Sequence, residues 1–194
     1  MQAQARNTVY GGGFANPPVD SAHGFRAAMN AMARPGTIQR ISGATPPDGI
    51  SPAAGALLLT LCDPETGVYL TPDVDSDDLR GWLTFHTGAP VVAAEQADFA
   101  LGSWAALMPL DRFRIGTPEY PDRSATLIVE MPELDAPNAR LQGPGIKDSA
   151  RLTLPDLEEF QHNAMLYPLG VDFFFTSGSQ LAALPRSTKV TAGE

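Results

Sequence analysis

The sequence predicts a layered α/β domain, a single three-layer α/β/α unit built on a mixed sheet. Three observations carry that expectation. Helical and extended patterns alternate along the 194 residues. Two apolar runs, 126–131 (TLIVEM) and 171–176 (VDFFFT), have the composition of strands buried on both faces. Two short segments, 140–142 and 150–154, flank a Gly-Pro-Gly turn and read as an antiparallel pair.

The elements follow in order. Residues 1–18 read as a flexible N-terminal arm, with Gly11, Gly12 and Gly13 as a hinge and Pro17-Pro18 before the first helix. Residues 20–38 (DSAHGFRAAMNAMARPGTI) then spell a helix with its start and stop. Asp20 or Ser21 can accept an N–H of the first turn. Phe25, Ala28, Met29 and Met32 fall at i, i+3, i+4 and i+7, the spacing of one buried face. Pro35 disfavours helix at Arg34, and Gly36 can take the positive φ that reverses the chain. That apolar face must be covered by the domain's own core or by another chain, and the expectation is the core. A short strand over 36–41 follows.

Ser51 as N-cap and Pro52 at the first helical position open a second helix. Its leucines lie nearly all round, so deep burial is expected. Residues 68–70 form a strand. Ser76 caps a third helix whose first turn carries Asp77 and Asp78, favourable against the helix dipole. Residues 98–102 form a strand and 103–110 a helix. Beyond the GPG turn, 155–166 is helical and 171–176 is a buried strand. The expected domain spans 19–190, with a disordered tail at 191–194.

Charge and composition limit the function. With 13 basic and 22 acidic residues the net charge is −9, which disfavours nucleic acid or an anionic membrane as partner. Charged residues are only 18% of the chain, a surface poor enough in charge to suggest part of it is covered by a partner. The longest apolar run, 53–62, is half the length of a membrane span, and 1–14 has no signal-peptide core. A cytoplasmic protein is expected. Cys62 is the sole cysteine, so neither an internal disulfide nor a multi-cysteine zinc site exists.

The search for chemistry returns little. His23, His86 and His162 are not at metal-ligand spacing, and His86 reads as a helix-end residue. Asp75, Asp77 and Asp78 read as a solvated cap rather than a calcium loop. Cys62 has no basic neighbour to activate it, and Lys147 lies in an irregular turn unsuited to a Schiff base. No nucleophile elbow, dinucleotide or P-loop fingerprint is present. No catalytic, metal or cofactor residue is therefore assigned. The one candidate site is an anion grip at Arg186, Ser187, Thr188 and Lys189, where two cations and two hydroxyls meet; the same residues also read as a solvated C-terminal tail. Arg112, Arg114 or Arg140 would add charge there if folding brings them close.

Six segments taken in order, ARPGTI, LTFHTGAP, ADFAL, GPGI, YPLGVDFFF and ALPRST, resemble the PhnH family, a subunit of the bacterial carbon–phosphorus lyase system. The likeness runs from about residue 16 to 188. The family's last motif carries two threonines after the arginine where this chain has Ser187-Thr188. The resemblance implies a core complex with PhnG, PhnI and PhnJ in phosphonate breakdown, making ribose 1-methylphosphonate 5-triphosphate from ATP and methylphosphonate. It also implies a fold like the large domain of pyridoxal-phosphate-dependent transferases without the cofactor site, a homodimer in isolation, and no carried-over catalytic residue. A structural or accessory subunit is the expected role. The alternatives are a phosphonate- or nucleotide-binding enzyme subunit using Arg186 and Lys189, and a degenerate pyridoxal-phosphate enzyme.

Overall fold

The computed structural model describes residues 10–193. Residues 1–9 of the expected arm, and Glu194 of the expected tail, lie outside the described residues. The first helix, α1 (Pro17–Ala33), begins three residues earlier than anticipated. Pro17 and Pro18 fit its first turn, where backbone N–H groups have no partner to lose, and the Asp20 carboxylate accepts the Asn16 N–H at 2.8 Å. Its buried residues are Gly24, Ala27, Ala28 and Ala31, whereas Phe25 and Met29 are 56% and 50% exposed. The expectation that the Phe25/Met29 face enters the domain's own core is thus corrected. The small residues occupy i, i+3, i+4 and i+7 one step round the helix, and they let α1 approach its neighbour closely. At Gly24 a Cβ would collide with the Thr60 hydroxyl.

A two-residue strand β1 (Gln39–Arg40) leads to helix α2 (Pro52–Leu61), whose N-cap Ser51 accepts from the Ala54 N–H at 3.1 Å. Strand β2 (Val68–Leu70) precedes α3 (Asp77–Thr87), capped by Ser76 and ended by Gly88 at φ 74°. His86 lies in the last turn of this helix, as expected, but its ring reaches away from the helix end: Nε2 lies 3.1 Å from the Gly11 carbonyl, which also accepts from Trp82 Nε1. Strand β3 (Phe99–Ser103) runs into α4 (Trp104–Leu107). That helix is a single turn rather than the eight residues expected, because Met108 precedes Pro109 and is extended. Then come β4 (Thr126–Glu130), the hairpin β5 (Ala139–Gln142) and β6 (Ala150–Leu152), helix α5 (Leu157–Met165), and β7 (Asp172–Ser177). Two further strands end the chain, β8 (Gln180–Leu184) and β9 (Lys189–Ala192). Neither was anticipated, and β9 runs through Thr191 and Ala192, where a tail was expected.

The main sheet has the order β1-β8-β7-β4-β3-β2, with β2, β3, β4 and β7 parallel and β8 running against them, paired antiparallel to both β7 and β1. A second, three-stranded antiparallel sheet has the order β6-β5-β9. Helices α1, α2 and α3 cover one face of the main sheet, meeting Leu101, Ile128 and Phe174. The other face, with Leu127, Val129, Phe173 and Phe175, is covered by α4, by α5 through Phe160, and by the apolar side of the small sheet. The anticipated helical third layer is therefore half sheet, since Leu141, Leu152 and Val190 pack inward where a helix was expected. Burying these side chains stabilises the fold by about 2 kcal/mol each. Among the described residues no helix is long and apolar enough to cross a membrane.

Candidate functional site

The carboxyl ends of parallel strands are where open α/β sheets ordinarily bind ligands. Here the ends of β3 and β4 are capped by the chain itself, and a cavity of about 640 Å³ lies farther out, between residues 45–48 and the start of α3. Glu130, the last residue of β4, accepts the Ser51 N–H at 2.7 Å and so fills the anion-seeking N-terminus of α2. Burial pushes the Glu130 carboxyl above its ordinary range, against the opposing pull of the Ser51 hydrogen bond. Beside it, Asp73 accepts the Ser103 N–H at 3.1 Å and the Thr71 hydroxyl. Burial works to raise the Asp73 carboxyl, but the Ser103 and Thr71 hydrogen bonds outweigh it and hold it below the usual range. Gly102 lies flush against Thr71, so that any Cβ there would collide with the hydroxyl.

The amino end is open. A groove of about 660 Å³ runs across the starts of β3, β4 and β7, at Phe99, Thr126 and Asp172. One wall is α1, through Phe25, Met29 and Met32; the other is the β5–β6 turn at Pro144 and Gly145. The lining is apolar but for Thr126, Asp172 and Ser187. The turn is held against α1 closely enough that a Cβ on Gly145, already at φ 81°, would strike the Ala33 carbonyl.

The anion-grip candidates are not brought to one point. Arg186 turns inward, donating to Asp172 Oδ2 at 2.5 Å, to the Pro121 carbonyl at 2.7 Å and to the Ser124 hydroxyl. It fastens the loop before β4 to the start of β7. Ser187 lines the groove, Thr188 is buried with no hydrogen-bond partner for its hydroxyl, and Lys189 stands on the exposed side of β9. Arg112 donates to the Ala106 carbonyl at 2.7 Å and lies over Tyr69, and Arg114 pairs with Asp98. Only Arg140 shares a face with Lys189.

Other candidates are structural. Cys62 is buried, which, with Asp63 and Asp98 nearby, pushes its thiol up to about 12; it is not an activated nucleophile. Asp75 pairs with Arg80 at 2.5 Å. His162 is 3.9 Å from Glu158 on the exposed side of α5. Among the described residues no group of three His, Cys, Asp or Glu side chains could hold a metal ion. What sequence reasoning missed is the groove. Its signal was present in the small-residue stripe of α1, which leaves the large residues outward.

Comparison with known proteins places the chain in a family. Residues 12–191 match the family described as "Bacterial phosphonate metabolism protein (PhnH)". A Rhizobium meliloti protein, named alpha-D-ribose 1-methylphosphonate 5-triphosphate synthase subunit PhnH, is 39% identical over 195 residues, covering 96% of this chain and 98% of its own. A Stutzerimonas stutzeri protein, named putative C-P lyase subunit protein HtxG, is 30% identical over 174 residues, covering 86% of this chain and 83% of its own.

Proposed function

This chain belongs to the PhnH family of bacterial phosphonate metabolism proteins, and on that premise we propose that it is a docking subunit of a carbon–phosphorus lyase core complex. Its partners are PhnG, PhnI and PhnJ, and the complex acts in the cytoplasm to form ribose 1-methylphosphonate 5-triphosphate from ATP and methylphosphonate. The subunit supplies binding surface rather than bond making. The observation that carries this reading is the apolar groove at the amino end, where Phe25 and Met29 stand half exposed beside an open cavity. An exposed apolar surface of that kind is stabilised by a partner. The names of the relatives support it.

Isolated, the chain forms a homodimer. Its fold resembles the large domain of pyridoxal-phosphate-dependent transferases without the cofactor site, and added pyridoxal phosphate should give no visible aldimine band. Co-expression with PhnG, PhnI and PhnJ should give one particle on gel filtration. Elution of this chain by itself, together with growth on methylphosphonate after its deletion, would overturn the reading. A second reading, an anion grip around Arg186, Ser187, Thr188 and Lys189, has one specific observation in its favour, the buried unpartnered hydroxyl of Thr188. Calorimetry of the pure protein with ATP and with methylphosphonate separates the two: a docking subunit gives no heat at millimolar ligand.

A further inference from the structure

The charge of this chain is unevenly placed, and the unevenness bears on what fills the groove. Three elements border it: the C-terminal half of α1, the β5–β6 hairpin, and the segment from Pro185 into β9. Besides the inward-turned Arg186 they carry six cations, Arg26, Arg34, Arg140, Lys147, Arg151 and Lys189, all exposed. That is nearly half of the 13 cations in a chain with 22 carboxylates, and these elements hold one carboxylate, Asp148. The two carboxylates that begin β3 and β7, Asp98 and Asp172, are already paired with Arg114 and Arg186.

The small sheet concentrates this charge. Arg140 lies directly across from Arg151 on one side and Thr191 on the other, and Gln142 lies across from Lys189. Directly opposed residues of an antiparallel pair share a face, so Arg140, Arg151 and Lys189 stand together on the outward side. Strands β5, β6 and β9 contain no acidic residue. Among the described residues neither Arg140 nor Lys189 has a side-chain ion pair. The sheet is continuous with the groove, because the turn that joins β5 to β6 forms the groove's wall and Gly36, just beyond α1, abuts Ala150 and Arg151.

Resting on the docking reading above, we propose that the groove and its basic collar receive an acidic partner protein, one presenting an apolar ridge flanked by carboxylates. The apolar floor holds the ridge, and the collar steers and orients it. The collar argues against two other occupants. A phosphate-bearing small molecule is gripped by convergent, desolvated donors, whereas every cation here is exposed. A second copy placed face to face would set collar against collar.

The test measures association of the full-length chain with the co-expressed PhnG–PhnI–PhnJ assembly as a function of salt. Raising NaCl from about 50 to about 500 mM should slow association by about tenfold. The triple variant Arg140→Glu/Arg151→Glu/Lys189→Glu should slow it by about tenfold at low salt and flatten the salt dependence. Thr191→Lys, which adds a cation to the same face, should accelerate association, a gain that misfolding cannot produce. Phe25→Ala/Met29→Ala should raise the off-rate and leave the salt slope unchanged. A complex that forms with unaltered rate and salt slope in the charge variants overturns the collar and leaves the docking reading standing. No complex with the wild-type chain overturns the docking reading itself. Heat on titration with ATP or inorganic phosphate that is lost in the triple variant makes this a small-anion site. A change confined to self-association of the isolated chain makes the occupant a second copy. Either result overturns the proposal.

Discussion

At the carboxyl ends of β3 and β4, side chains fold back onto backbone amides and cover the strand ends; at the amino ends Asp98 and Asp172 are likewise engaged, but an apolar groove stays open between them and α1. Glu130 and Asp73 each hold an N–H of another element, and Gly102 lets Thr71 close the gap between β2 and β3. The segments at this end carry Asp48, Asp73, Asp75, Asp77, Asp78, Glu130, Glu133 and Asp135 against Arg80. The amino end has the open apolar groove and the basic collar. The difference teaches that one sheet can be sealed where its class usually binds ligands and left open where it usually does not. A site's place must be argued from the particular residues and not from the fold.

The largest test of this contrast is Arg186→Ala. It leaves Asp172 partly buried without its partner and frees the loop before β4, and should lower stability by about 3 kcal/mol in urea titrations. Arg186→Lys should recover little, since one ammonium cannot reach Asp172, Pro121 and Ser124 together. An Arg186→Ala protein of unchanged stability would mean that the open end does not depend on this clamp. Next is Gly102→Ala, which drives a methyl into Thr71 and should cost about 2 kcal/mol, if the carboxyl end is as tightly sealed as its contacts indicate.

The pH dependence of the sealed end gives a smaller effect with a definite sign. The folded Glu130 carboxyl is raised above its unfolded value, so its ionisation costs stability. That cost is absent below about pH 4.5 and is complete once pH has risen through the raised folded value. Glu130→Gln keeps an acceptor for the Ser51 amide and should remove this dependence. Asp73 has the opposite sign: its contribution is present at neutral pH and is lost as pH falls through its lowered value, below about 3.9. Parallel stability curves for Glu130→Gln and wild type across pH 4 to about 8 would sink the assignment.

The smallest expected change sharpens the contrast most. Phe25→Ala/Met29→Ala should leave the isolated chain within about 0.5 kcal/mol of wild type, as befits exposed positions. A loss of several kcal/mol would place these side chains in the protein's own core.

Much of this was legible before the fold was known, and the exceptions have physical causes. Ser51, Pro52 and Ser76 announced helix starts because capping is local chemistry that a few residues decide. TLIVEM and DFFFT announced buried strands by composition. The buried face of α1 was misread because large apolar side chains were weighted over small ones, when close approach of α1 to α2 favours glycine and alanine. Strand β8 (QLAAL) is short and alanine-rich, with little strand propensity, and pairing with β7 across a two-residue turn makes it a strand. The engagement of Arg186 could not be read from PRSTK at all. Its partners Pro121, Ser124 and Asp172 lie 65, 62 and 14 residues away.

The pairing of β9 with β5 sets the order of events in the cell. Lys189–Ala192 bonds to Ala139–Gln142, closing a loop of some fifty residues. During synthesis the strands β2, β3 and β4 can meet as they emerge, but the small sheet waits until β9 has followed β5 out of the ribosome. A truncated or unfinished chain therefore displays Phe25 and Met29 without the completed collar beside them. The face by which it could be recruited is thus whole only after β9 has joined β5.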